Sequence, residues 1–167
     1  MKKLYIILLL SSLSFLTLSA QNQPEPVRIQ FNAGAGISNW GIPFYFGLDL
    51  RVHPEISIGI ESSFRSYYQS YTDIRYRSSI VGFSTNGNFH FNRLLDIPNY
   101  LDLYAGLNVG YYIWSTPSNY PGTGTSGFGM GGQFGGRYFF NDHFGLNLEF
   151  GGGNAFTGVK FGMTYMF

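Results

Sequence analysis

Eight charged residues have the types and spacing to act together: Arg28, Asp49, Arg51, Glu61, Arg65, Arg137, Glu149 and Lys160. Asp49 and Arg51 are two positions apart and Glu61 and Arg65 four apart, and in a β-strand an even separation puts both side chains on one face. Counting outward from the intervening turns, Asp49, Arg51 and Glu61 are expected as near neighbours, and so are Arg137, Glu149 and Lys160. Acids and bases confined to one narrow space can line an ion path. They can also pair and fill it, because charges removed from water must find partners. The second reading is preferred, with a gated ion path as the alternative.

Other chemistry finds less support. GFGMGG fits the dinucleotide pattern at Gly127, Gly129 and Gly132, but a loop precedes it and no helix follows. His53 and His90 share the polar parity of their segments, and two histidines without a third ligand are read as hydrogen-bonded fillers rather than a metal site. Ser57 and Ser63 lie on the face of Glu61. The chain has no Cys, which removes disulfides, thiolate metal sites and Cys nucleophiles together. No catalytic residue, cofactor or metal ligand is assigned.

The elements that position these residues are eight stretches of alternating character. They begin with VRIQFNAGAGI, then FYFGLDLRV, ISIGIESSF and SIVGFSTNGNFHF. LDLYAGLNVGYYI, FGMGGQFGGRYF, FGLNLEFGG and the terminal FTGVKFGMTYMF complete the set. In each, every second residue is bulky and apolar while the others are small or polar, the period of a strand. The polar stretch SYYQSYTDIRY reads as a loop, and so does STPSNYPGTGTS. Asn86-Gly87 is a strong hairpin dipeptide, yet the bulky parity runs through it from Phe83 and Thr85 to Phe89 and Phe91, so one strand is kept.

Composition says what covers the bulky face. Charged residues make up 11% of the chain and aromatics 19%, whereas soluble domains are about 25% charged. The first twenty residues carry Lys2 and Lys3, an apolar run and a small-residue site ending at Ala20, the pattern of a secretory signal peptide. Residues 21–167 then form one domain. Without Lys2 and Lys3, the ten Lys and Arg fall to eight against nine Asp and Glu, so no basic excess points to nucleic acid. No later apolar run is long enough for a spanning helix, which leaves a closed barrel as the way to satisfy backbone hydrogen bonds in lipid. An eight-stranded interior is only just wide enough to be filled by side chains. About five large residues per strand would not fit inside, whereas the Gly-rich face would. The bulky face therefore points to lipid, and the fold expected is an all-β, eight-stranded antiparallel up-and-down transmembrane barrel.

The final alternating residues, Val159, Phe161, Met163, Tyr165 and Phe167, carry a resemblance. Together with the leader and the eight strands, they are similar to the small OmpA/OmpX-type outer-membrane β-barrels. The resemblance implies that these five residues are the signal read by the barrel-assembly machinery, with periplasmic chaperones upstream. It implies outer-membrane lipid as the surroundings and an outer-membrane location in a Gram-negative-type bacterium. No peptidoglycan-binding domain follows the barrel, unlike the longer members. Loops near Trp40, at Ser66–Tyr76, at Ser115–Ser126 and near Asn154 then face outside, where an extracellular partner could be met. Trp40, Tyr67, Tyr68, Tyr71, Tyr76, Tyr111 and Trp114 are expected in the outer aromatic girdle. Phe89, Phe91, Phe140, Phe144, Tyr165 and Phe167 are expected in the inner one. No His falls near the outer leaflet, which argues against a Ser–His lipid hydrolase. The expected role is structural or surface-interacting, with a plugged polar lumen. A small gated channel or, behind it, a lipid-modifying enzyme is the alternative.

Overall fold

The alternation is realised as eight antiparallel strands: β1 (Arg28–Ser38), β2 (Ile42–His53), β3 (Ile56–Tyr71), β4 (Ile74–His90), β5 (Leu101–Ser115), β6 (Gly127–Phe139), β7 (Phe144–Gly153) and β8 (Gly158–Met166). This is a computed structural model, and it describes residues 28–71, 74–117, 125–154 and 156–167. The expected signal peptide lies outside the described residues. Each strand pairs with the next, and β1 pairs with β8 from Gln30↔Met166 to Ser38↔Gly158, so the barrel closes. Closure leaves no strand edge unpaired, as a sheet in hydrocarbon requires.

The two faces are as the composition argument expects. Phe46 is 60% exposed, Leu107 73% and Phe161 57%, all pointing outward. On the inward parity, Asp49, His90, Asp102, Arg137 and Lys160 are buried. Asn86 and Gly87 remain within β4, paired to Asn108 and Leu107 of β5. Gly87 faces outward, where an added Cβ would meet nothing.

Two expectations need correction. The stretch read as a polar loop is strand: β3 runs to Tyr71 and β4 starts at Ile74, with Tyr67↔Ser78 and Ser70↔Arg75 in register. Above a membrane both faces of a hairpin meet water, so the apolar–polar alternation disappears while Tyr and Ile keep their β-propensity. The first and last rungs of the other hairpins stop short of it, and β3–β4 projects beyond them.

The outer girdle is also smaller than expected. Trp40, Tyr67 and Trp114 turn inward and meet edge to face, with ring centroids 5.6, 5.1 and 6.1 Å apart. Tyr67 and Trp114 lie on the inward parity of β3 and β5, and Tyr76 on that of β4 is buried. Tyr68 and Tyr111 do stay outside. At the other end, which carries Phe167, the expected inner girdle forms. Phe144 and Phe167 flank Tyr165, Phe89 packs on Phe91, and Tyr138 on Phe140.

Candidate functional site

The inward parity of eight strands delivers polar side chains to one space, and the narrow bore decides who meets whom. Partners are reached across the lumen as well as along neighbouring strands. Arg137 of β6 donates from Nη2 to Asp49 Oδ2 of β2 at 2.6 Å and from Nη1 to Asp102 Oδ2 of β5 at 3.1 Å. Arg51 of β2 donates to the same Asp102 oxygen at 3.1 Å. Asn32 donates to Asp49 at 3.0 Å, and Thr164 and Gln30 both donate to Asn32 Oδ1 at 2.9 Å.

The other oxygen of Asp102 lies 2.7 Å from His90 Nδ1, and His90 Nε2 lies 2.9 Å from Ser57 Oγ. A carboxylate can only accept, so the shorter Asp102 contact calls for a proton on Nδ1, with Nε2 of the neutral ring accepting from the serine hydroxyl; the Arg51 guanidinium, itself a donor, lies 2.9 Å from the same Nδ1. Ser57, His90 and Asp102 thus have the hydrogen-bond order of an acyl-transfer relay. Ser57 is 2% exposed and His90 0%, so the relay is enclosed in packed protein. The sequence argument, which looked for a histidine near the outer leaflet, did not find this pairing near the inner end.

A second cluster sits towards the outer end. Lys160 of β8 donates to both oxygens of Glu61 on β3, at 2.7 and 2.8 Å, and to Glu149 Oε1 on β7 at 3.1 Å. Tyr104 joins the two clusters: its hydroxyl donates to Glu149 Oε2 at 2.9 Å, and the Arg137 guanidinium stacks 4.2 Å from its ring centroid. Tyr45 donates to Asn147 at 3.0 Å beneath Lys160. Arg65 is buried, with its guanidinium 5.9 Å from the Tyr112 ring centroid. Four carboxylates, Asp49, Glu61, Asp102 and Glu149, therefore face four cations, Arg51, Arg65, Arg137 and Lys160.

Seven of the eight charged residues singled out from sequence face this lumen; the neighbours expected for them are partly wrong. Asp49, Arg51 and Glu61 go to three different partners across the bore rather than to one another. Glu149 meets Lys160, directly opposite it in the ladder, while Arg137 stands opposite Asn147 and takes Asp49 and Asp102. Arg28 is no member: it is exposed at the inner rim, with Nη1 3.9 Å from the Met166 sulfur. It lies too near the strand end to be enclosed. His90 is the hydrogen-bonded filler expected of it, bonded to Asp102 and Ser57, whereas Asp102, Tyr104 and Ser57 were missed as members. Their inward parity was legible in LDLYAGLNVGYYI and ISIGIESSF, but the reach across the bore was not. His53, the other candidate filler, is exposed at the β2–β3 turn.

Space in the bore is small. Between Glu61, Lys160 and Asn108, and again between Asp49, Glu149 and Tyr104, the voids are about 20 Å³ each. That holds about one water. The inner mouth instead opens as a funnel of about 770 Å³ lined by Arg28, Arg51, Arg93, Asp102 and His143. The five terminal motif residues Val159, Phe161, Met163, Tyr165 and Phe167 share the outward parity, and Phe167 N donates to Ile29 O at 3.0 Å, binding the chain end into the seam.

A closed eight-stranded barrel with an apolar exterior and a polar interior is the architecture of small transmembrane barrels. No family model and no curated protein matches this chain. Solved structures do. The chain is similar to the outer membrane protein OprG from Pseudomonas aeruginosa, with a TM-score of 0.62 at 10% identity over 84% of this chain and 96% of that one. Neisserial surface protein A gives 0.54 at 13% identity, over 85% and 94%. The Yersinia pestis outer membrane protein Ail gives 0.55 at 12% identity, over 86% and 100%. The fold is that of the eight-stranded outer-membrane β-barrels.

Proposed function

We propose that this chain is an integral outer-membrane barrel with a structural or surface-interacting role and a lumen that does not conduct. The observation that carries the reading is the cross-lumen pairing of Arg137 and Lys160 with carboxylates on non-adjacent strands, with room for only single waters between. A hydrated ion would have to break several such pairs at once. Planar-bilayer recording tests it: the wild-type barrel is expected to give no steps above baseline. Regular single-channel openings would favour the gated-channel reading instead.

The Ser57–His90–Asp102 relay is read as packing rather than catalysis, since Ser57 is 2% exposed and strand amides around it are committed to ladder bonds. A fluorophosphonate probe should leave Ser57 unmodified in the folded barrel; stoichiometric labelling lost in His90→Ala would reverse this reading. The outward terminal motif supports recognition by assembly machinery. Deleting Phe167 should reduce assembly in cells far more than refolding in detergent, and equal losses in both would leave only a packing role. Partners outside the cell would meet the projecting β3–β4 hairpin.

A further inference from the structure

Every Asp, Glu, Lys and Arg in the eight strands lies on the inward parity except two. Arg75 and Arg77 stand next to each other on the outward face of β4, both exposed, with no acid on the outward face of any described strand to neutralise them. Their height on the wall follows from the register. Phe64, Val81 and Ile113 form one outward rung, and the next is Ser66, Ser79 and Ser115. Arg77 follows, paired with Tyr68, and then Arg75, paired with Ser70. Three serines above a row of aliphatic and aromatic side chains, with Ile42 beside Ser66 as the apolar member of that rung, place the edge of the hydrocarbon near this level on β3–β5. Two residues rise about 7 Å along a strand, or about 5 Å along the normal at the usual tilt. That sets Arg77 within a headgroup layer about 5–7 Å deep.

The two side chains are shaped for an anion at that level. Arg77 Nε donates to Ser66 Oγ at 2.9 Å, which draws the guanidinium down toward the serine row. Its terminal nitrogens carry four further donors. Arg75 lies 5.4 Å from the Tyr68 ring centroid. Arginine pairs bind phosphate oxygens bidentately, which lysine does not. Below them the wall is dented. Ser62 and Thr85 are small among Phe46, Phe83, Tyr111 and Phe128, leaving an apolar outward groove of about 660 Å³. A groove for an acyl chain beneath a paired cation for its headgroup is the footprint of one lipid.

We propose that Arg75 and Arg77 bind the phosphate of a phosphorylated outer-leaflet lipid whose acyl chain fills the groove around Ser62 and Thr85. This rests on the reading of the barrel as membrane-embedded with the β3–β4 hairpin outward. The full chain would be refolded into nanodiscs carrying either phosphorylated lipid A or its dephosphorylated form in phosphatidylcholine, and released for native mass spectrometry. Wild type is expected to retain phosphorylated lipid A at least tenfold more than the dephosphorylated form. R75Q/R77Q should lose that preference, and Ser62→Leu should reduce retention of both forms while keeping the ratio. Undiminished preference for phosphorylated lipid A in R75Q/R77Q, or no such preference in the wild type, overturns the proposal. Displacement by millimolar inorganic phosphate alone would mean a free-anion site and overturn the lipid assignment. Since the chain lacks Cys, Ser70→Cys can be labelled on intact cells with an impermeant maleimide. Absence of labelling would fault the orientation, which the nanodisc result, with lipid in both leaflets, does not depend on.

Discussion

The lumen is crossed by side chains at two levels, by different chemistry. Around Asp102 the crossing is polar. Arg51, Arg137 and His90 converge on one carboxylate through contacts of 2.7 to 3.1 Å. At the outer mouth it is aromatic: Trp40 from the β1–β2 turn meets Tyr67 and Trp114 near strand ends. Directional bonds to charges admit one arrangement, and moving any member leaves a charge unpaired in a narrow bore. Edge-to-face rings tolerate sliding and are worth about 0.5–1.5 kcal/mol per pair beyond their buried area. On the proposed reading the two levels act in series, a rigid plug and a yielding lid.

The largest expected effect breaks the plug. Asp102→Ala strands three donors and should cost about 3–5 kcal/mol in urea unfolding from micelles; a loss below 1 kcal/mol would deny that the inner cluster is the rigid closure. Lys160→Met should cost about as much, since Glu61 and Glu149 both lose their cation. Glu149→Ala should cost only about 1–3 kcal/mol, because Lys160 keeps both oxygens of Glu61 and only the Tyr104 hydroxyl is orphaned. Equal costs for the Lys160 and Glu149 changes would mean Glu61 does not share the cation. Facing sets the next step: Leu107→Arg, outward at mid-wall, should lose about 2–4 kcal/mol in lipid refolding and Asn108→Arg less. The reverse order would invert the two faces. Smallest is the lid, where Trp114→Ala removes two ring contacts and should cost about 1–3 kcal/mol. It should leave bilayers silent alone, and conduction should appear only in combination with Asp102→Ala. Conduction from Trp114→Ala alone would make the lid the sole barrier.

Barrel, strand number and facing were legible because they depend on one-dimensional periodicity, and the bilayer enforces that periodicity wherever strands cross it. The same dependence explains the misreading of SYYQSYTDIRY: above the membrane nothing enforces alternation, so strand and loop look alike. Trp40, Tyr67 and Trp114 were assigned to lipid by residue type, while the inward parity of the last two says otherwise. Within the site, Glu149 opposite Lys160 was countable from the turn. Arg137 to Asp49 was not, for it depends on bore width and side-chain reach between strands that never pair.

The seam between the first and last strands also governs how fast the barrel is made. Gln30 bonds Thr164 across a separation of 134 residues, whereas every other strand pairs with its neighbour in sequence. Long-range pairings carry a loop-closure cost and form slowly. The seven hairpin contacts can therefore assemble before this one, leaving a curled sheet with two open edges as the species that waits. Gly34 lies so close to the backbone of Phe161 and Gly162 that a Cβ there would collide with the strand it must meet. The glycine is thus a condition on the last step of folding more than on the finished wall, and Gly34→Ala would be felt as a population of unsealed sheets.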